Sequence, residues 1–483
     1  MSALAIQGTS SFAGKSFLTT ALARSFARRG VRVAPFKAQN MSNNARVVAG
    51  GEIGVAQYLQ ALAAGLEPSL RMNPVLVKPE SNRRSQVVVN GKPDLTVSRM
   101  PWRERAPFLA EAIETALTSL LNDFELVLIE GAGSPAEINL RDIDMANLRV
   151  AEIADASVLL VSDIDRGGSF AHLYGTWALV GQAPQQRIGG FVLNKFRGDP
   201  SLLDPAPAML EELTGVPVLG IVPWIEHALP DEDGAADLLR RGDRPVVGII
   251  RYPTASNLDE FRALEQVADV IWVRDANQLN GASLIVLPGS KHVAGDLDWL
   301  VSRDFVEPLR KRAESGLPIL GICGGLQMLG EAISDPAGVD GSRAGLGLLN
   351  LATTFSPEKI ARKTKTRFSP QLPAAWAHLR GIDVNGYEIR HGSSFPGERL
   401  AEALPGGLGF ASGSVLGVYL HGLFECDAVL RAVFGSAPAH ALEDTFDKLA
   451  DVVDAAFDRN LLDNLAGLSR RALRKRPELT EHA

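Results

Sequence analysis

Leu320-Gly321-Ile322-Cys323-Gly324-Gly325-Leu326-Gln327 is the stretch on which the reading of this chain turns. The apolar run from Leu317 to Ile322 predicts a short buried strand. It stops at a cysteine with glycines on both sides, and a helical pattern begins at Leu326. That is the G-x-[nucleophile]-x-G elbow, a turn too tight for side chains beside the residue held at the strand tip. A helix N-terminus behind sulfur favours thiolate, and backbone N–H groups there receive an oxyanion. A buried packing cysteine is the plain alternative for an isolated G-x-C-x-G. Gln327 and a later Tyr419-Leu420-His421-Gly422 weigh against it.

Outward from the elbow, 483 residues predict two or three domains. Hydrophobic content of 46% with 22% charged residues is globular, so burial is not a constraint. A net charge of -7 argues against a protein that coats nucleic acid, and no apolar stretch approaches the roughly 18 residues of a membrane helix. The start, Met1-Ser2-Ala3-Leu4, shows no basic region ahead of an apolar one, hence no secretory signal. Two cysteines, Cys323 and Cys426, without metal-type spacing fit a reducing compartment, and the expected location is cytoplasmic.

The N-terminal segment reads strand, glycine-rich turn, helix: Ala3 to Ile6, then Gly8-Thr9-Ser10-Ser11-Phe12-Ala13-Gly14-Lys15-Ser16, then an amphipathic pattern to about Arg29. Such a loop offers N–H groups to phosphate, with Lys15 for the outer phosphates and the Ser16 hydroxyl for Mg²⁺. Five residues separate Gly8 from Gly14-Lys15, one more than the strict pattern has. Further strands each end in chemically loaded residues. Val31 to Phe36 runs into Lys37-Ala38-Gln39-Asn40-Met41-Ser42-Asn43-Asn44, and Phe124 to Ile129 ends at Glu130, a candidate Mg²⁺ ligand. Ser157 to Ser162 leads to Asp163-Ile164-Asp165-Arg166, acids for metal or catalysis and a cation for an anion. Ile188 to Leu193 ends at Asn194-Lys195, and Val216 to Val222 stops at Pro223. Short apolar runs alternating with helical patterns predict a parallel sheet covered on both faces, with ligands at the strand ends.

Residues 229–244 read as a linker, separating a synthetase-type domain over 1–228 from a second α/β unit over 245–440. The expected architecture is α/β, two doubly wound parallel-sheet domains, with a C-terminal helical segment over 441–483. In the second unit Ser283 to Leu287 leads to Pro288-Gly289, and Val415 to Leu420 delivers His421. Thr353 to Leu379 looks irregular, and its basic cluster from Lys359 to Arg367 reads as solvated surface. His391, in Tyr387-Glu388-Ile389-Arg390-His391-Gly392, is the rival base to His421.

Cys323, Gln327 and His421 together resemble the class I glutamine amidotransferases, which release ammonia from glutamine. That resemblance implies an oxyanion hole built from backbone at Gly289 and Gly324. The long-form phosphate loop resembles that of dethiobiotin synthetase and its relatives, ATP enzymes that activate carboxylates, and Asn194 resembles their base-recognition Asn. Adding Gln39-Asn40-Met41-Ser42-Asn43-Asn44 and Asp163-Ile164-Asp165-Arg166-Gly167-Gly168, nearly the whole chain resembles the cobyric acid synthase family. The resemblance implies ATP, Mg²⁺, glutamine and a corrinoid as the small molecules handled, with no nucleic acid or membrane partner. It implies successive amidation at the b, d, e and g side chains of adenosylcobyrinic acid a,c-diamide through acyl phosphates. Gln39, Asn40, Asn43, Asn44 and Arg166 are the candidates for holding the corrinoid, and Gly8, Thr9, Gly14, Lys15, Ser16 and Asn194 for ATP. The a,c-diamide synthases are the second reading, and a non-amidating ATPase switch the third. One position departs from the amidotransferase pattern. Most class I members carry His-x-Glu, whereas Leu423 stands here, so a Cys323–His421 dyad is expected, its histidine oriented by a carbonyl or by Glu425 or Asp427.

Overall fold

The strand Ser2–Gly8 is buried at every position, and a run with no solvent face needs cover on both sides. It lies inside a six-stranded sheet of order Val218–Pro223, Ile188–Phe196, Ser157–Asp163, Ser2–Gly8, Leu126–Glu130, Val33–Phe36, and every pairing is parallel. The computed structural model describes residues 2–81, 84–227, 229, 242, 244–398, 400–438 and 442–469. Helix Lys15–Arg28 begins directly after the glycine-rich turn, and helix Ala106–Asp123 feeds the strand that ends in Glu130. Phosphate loop, Lys37, Glu130, Asp163 and Asn194 therefore all follow C-terminal strand ends.

A second sheet runs Asp269–Val273, Val246–Ile250, Leu284–Leu287, Ile319–Ile322, Val415–Val418, Gly409–Ser412, Ala401–Leu404. Its first five strands are parallel and the last two antiparallel, so it is mixed rather than purely parallel. The chain returns by a tight hairpin there, which needs no crossover helix. Most of the expected linker, 230–241 and 243, lies outside the described residues, as does the end of the chain from 470.

Two expectations are corrected. The stretch expected to be irregular is a long strand, Leu351–Arg367, paired antiparallel with Asp383–Pro396. Nor is its basic cluster wholly solvated, because Lys359 is buried against the first domain, its amine paired with Glu52 at 2.5 Å. The hairpin packs Tyr387 and Ile389 with Ala45, Val47, Leu76 and Val88 in one apolar cluster between the two sheets. Helix Leu442–Ala456 then returns to the first domain and lies on helix Lys15–Arg28, burying Phe446, Leu449 and Val453. Arg24 pairs there with Asp447 at 2.8 Å and Glu443 at 2.9 Å. No described helix is long and apolar enough to cross a membrane.

Candidate active sites

Strand Ile319–Ile322 ends at Cys323, whose backbone angles, φ 52° and ψ −104°, lie outside the regions that L-residues favour. Holding such a conformation costs on the order of 1–3 kcal/mol. It persists because helix Gly324–Leu329 leaves at once, wedged against the strand Leu284–Leu287. The thiol is buried and donates to the Ile389 carbonyl at 3.4 Å, with the His421 ring lining the same cavity. Gly289–Ser290 pairs antiparallel with Ala255–Ser256 and abuts Gly324, which sets the candidate oxyanion backbone beside the sulfur. Asp296 fixes this loop, accepting from Thr254 N at 3.1 Å and from Ser290 Oγ at 2.6 Å. Gln327 donates to the His391 carbonyl at 3.0 Å and so joins the helix to the long hairpin.

His421 is not left to a dyad. Its Nδ1 is 2.9 Å from Glu260 Oε1, while Glu260 Oε2 accepts from Gly422 N at 2.8 Å. The expected orienting acids are thus corrected: Glu425 pairs with Arg46 and Asp427 with Arg431. Glu260 sits on the 3-10 turn Leu258–Phe261, fully buried, 161 residues before the histidine. Burial alone would lower the His421 pKa, but Glu260 and the Cys323 sulfur raise it to about 10. Burial and the nearby Lys359 and Lys291 push His391 the other way, to about 4, and its Nδ1 faces the Ser356 carbonyl at 3.1 Å. His391 lines the same cavity as Cys323 and His421, but of the two histidines His421 is the one held by a carboxylate, Glu260.

At the phosphate loop Lys15 Nζ donates to the carbonyls of Ser10 and Gly133, both at 3.0 Å. Ser16 Oγ donates to Glu130 Oε1 at 2.7 Å, and Glu130, with no exposed surface, also meets Lys37 at 2.8 Å and Gln60 at 2.5 Å. Gly14 has φ +98°, and a Cβ there would lie 1.9 Å from the Asn194 amide nitrogen. Asn194 itself donates to the Ala13 carbonyl at 2.9 Å, which makes it a brace under the loop. Thr9 N donates to Val161 O at 2.9 Å and its hydroxyl to Ser162 at 3.1 Å, anchoring the loop's start just after Gly8. A cavity of about 530 Å³ opens above, lined among others by Phe12, Lys15, Ser16, Lys37, Asn194 and Trp224.

The remaining candidates scatter. Gln39 and Asn40 line that cavity, although Asn40 also donates to Gln57 at 3.2 Å. Asn43 donates to the Pro79 carbonyl at 3.1 Å and Asn44 accepts from Leu258 N at 3.0 Å, so both serve structure between elements. Asp163 is engaged by Lys195 at 2.9 Å and Arg166 at 3.5 Å. Of the three candidate metal ligands, the structure brings Ser16 and Glu130 into direct contact. Sequence reasoning missed Glu260, Lys37, Gln60 and Asp296; the adjacent carboxylates Asp259-Glu260 lie in a mixed polar stretch that gives no local signal.

A cavity of about 910 Å³ holds Cys323, Gln327 and His421 on one wall and Val77, Met41 and Arg105 of the first domain on the other. Met41 lines this cavity and the one above the phosphate loop, so the end of the strand Gln39–Met41 borders both.

Residues 4–235 match the CobQ/CobB/MinD/ParA nucleotide binding domain family, and residues 246–429 the CobB/CobQ-like glutamine amidotransferase domain family. The chain is 51% identical to a cobyric acid synthase of Polaromonas sp. (strain JS666 / ATCC BAA-500), over 95% of this chain and 97% of that one. It is 52% identical to a cobyric acid synthase of Variovorax paradoxus (strain S110), over 95% and 98%. Among solved structures, a glutamine amidotransferase covers 42% of this chain and 98% of its own at 18% identity, with a TM-score of 0.30, and no weight rests on it.

Proposed function

Because this chain belongs to the cobyric acid synthase family, we propose that its two centres divide one reaction, Cys323 freeing ammonia and the phosphate loop activating the carboxylate that receives it. The reaction is glutamine-dependent amidation of corrinoid side chains, and the nucleotide-binding domain implies ATP use. The observation that carries the division is the pair of cavities sharing Met41, one holding the thiol and the other the phosphate loop.

At the first centre Glu260 raises the His421 imidazole, which can so hold the proton of the attacking sulfur. Thiolate attack on the glutamine amide carbon forms a tetrahedral oxyanion, received by backbone N–H groups near Gly289 and Gly324. Imidazolium then protonates the departing ammonia, and water resolves the thioester with His421 as base. Glu260 holds the ring throughout. Ammonia released into water at neutral pH becomes ammonium and loses its lone pair. Met41, which borders both cavities, marks the side on which ammonia would pass from the first to the second.

At the second centre Lys15 releases its two carbonyls and takes the outer phosphates of ATP. Ser16 and Glu130 are hard oxygen donors in contact, and no described cluster of three or more acids, histidines or cysteines competes as a metal site. They fit Mg²⁺, which takes few protein ligands and completes its shell with phosphate and water. When bound it would offset phosphate charge, and Lys37 beside Glu130 would do the same from the protein. A corrinoid carboxylate attacks the γ-phosphate, and ammonia displaces phosphate from the resulting acyl phosphate. Amidation of the b, d, e and g side chains of the a,c-diamide is the reading adopted here. Gln39 and Asn40 remain the amides placed to meet the corrinoid; Arg166, 64% exposed, offers a cation at the same edge. Incubation with glutamine, ATP and the a,c-diamide should yield products heavier by up to four amidations. Amidation confined to the a and c positions of unamidated cobyrinic acid would overturn it.

A further inference from the structure

We propose that Arg46, supplied by the synthetase domain, is a positioning residue of the glutaminase centre, holding the turn that carries Glu260. The inference rests on the thiol chemistry proposed above and adds how the other domain governs it.

Arg46 lies on the short strand Ala45–Val48 and is buried where it enters the second domain. Its guanidinium pairs with Asp259, the neighbour of Glu260, and with Glu425 at 2.5 Å. It also lies 5.1 Å over the Tyr387 ring, which stacks on the His421 imidazole at 5.3 Å and 21°. Backbone contacts pin the same turn: Leu258 N donates to Asn44 Oδ1 at 3.0 Å, and Ala45 N donates to Asn257 Oδ1 at 3.2 Å. Three consecutive residues of one domain thus fix the orienting carboxylate of the other. A buried Asp259 without its cation would be an uncompensated charge one residue from Glu260.

The segment bearing Arg46 is tied to the phosphate site at both ends. Lys37 precedes it and Gln60 follows it, and both contact Glu130. One stretch of chain, from Lys37 to Gln60, therefore touches both the phosphate site and the turn.

The test measures glutamate release and amidation in the full chain, with and without ATP and corrinoid. Arg46→Met should lower the glutamine-driven kcat by about tenfold or more, as loss of a partner that orients a reacting histidine does. KM for glutamine and amidation from ammonium should stay within about twofold. Adding Asp259→Asn should recover most of the lost kcat, since the uncompensated buried charge is then gone and Glu425 can reach solvent. A purely structural prop would show no such recovery. Full glutamine-driven activity in Arg46→Met, an equal loss of ammonium-driven amidation, or no recovery in the double variant would each overturn the proposal. Cys323→Ala is the control for the underlying chemistry. Were it to retain glutamate release, the thiol reading would fail first, and this inference with it.

Discussion

Glu260 gives His421 two things that a carbonyl would not: a full negative charge and a second oxygen fixed by Gly422 N. Glu260→Gln keeps the volume and removes the charge. Glutamine-driven turnover should fall about 10²–10⁴-fold, the range seen when an orienting carboxylate is neutralised in a triad, with ammonium-driven amidation retained. The pH profile moves too. Glu260 raises the histidine, so the wild type should keep its imidazolium through neutrality and lose glutamine turnover only as pH climbs toward 10. The variant's basic limb should shift to lower pH, and an unchanged limb would count against the assignment. That limb reports the Cys323–His421 pair rather than one residue. At the phosphate loop Glu130→Gln should abolish amidation from both nitrogen sources. Cys323, His421, Lys15 and Ser16 were legible because each sits in a contiguous motif whose spacing carries the chemistry. Glu260 and Arg46 were not, since Glu260 meets its histidine 161 residues along the chain and Arg46 meets its carboxylates across the domains, and neither contact leaves a spacing in the sequence. The amides of Asn43 and Asn44 show the limit of such a reading: Asn43 meets the Pro79 carbonyl and Asn44 the Leu258 N–H, contacts that a polar run after a strand can make as readily as it meets a ligand.

Elements explain why those residues hold their places. At the elbow, a Cβ on Gly325 would lie 2.0 Å from the Leu287 carbonyl oxygen, an atom fixed in the neighbouring strand. Gly325→Ala must therefore push helix Gly324–Leu329 off the sheet. It should cost about 1–3 kcal/mol, the range for overpacking a tight interior, read as a lower thermal midpoint together with slower alkylation of Cys323. A variant with native stability and native thiol reactivity would show that the elbow tolerates a side chain. The elbow and phosphate loop were readable because glycine spacing reports backbone geometry directly. The hairpin Leu351–Arg367 with Asp383–Pro396 was not. Its Lys, Arg and Thr residues lack an apolar stripe, and what covers Lys359 is an ionic partner, Glu52, on a distant part of the chain. Polar alternation looks like loop until the partner is known. The two antiparallel strands that finish the second sheet were hidden similarly, being only four residues each with glycines in the turns beside them.

On the scale of the molecule, the cavity between the domains can conduct ammonia only if the domains stay closed, and a buried ionic cluster beside the hairpin bears on that. Glu52 of the first domain, with no exposed surface, pairs with Lys78 of its own domain at 2.5 Å and Lys359 of the other at 2.5 Å. Lys291 adds a second crossing, to Glu80 at 3.4 Å. Burial alone would raise the Glu52 carboxyl; the two lysines pull it well below the ordinary carboxylate range instead. A folded-state pKa depressed in this way contributes stability that is fully present above the unfolded value of about 4.3 and is lost as pH falls through the folded one. The carboxyl of Glu52 should therefore weaken closure only in strong acid, whereas burial lowers Lys359 to about 7, so its pairing with Glu52 should weaken as pH rises through neutrality. Glu52→Gln removes the anion and leaves two buried ammonium groups facing each other, a loss of about 3–5 kcal/mol when one partner of a buried set is deleted. Lys78→Met with Lys359→Met and Glu52→Leu removes the whole set and should be far less harmful, because desolvation cancels most of what such pairs gain. The decisive measurement is the ratio of amide formed to glutamine hydrolysed. In Glu52→Gln the domains part, ammonia escapes and the ratio should fall, while the triple variant should keep it near that of the native chain. If both variants retained tight coupling, closure would rest on the apolar cluster of Val47, Leu76, Tyr387 and Ile389 with the crossings at Arg46 and Lys291.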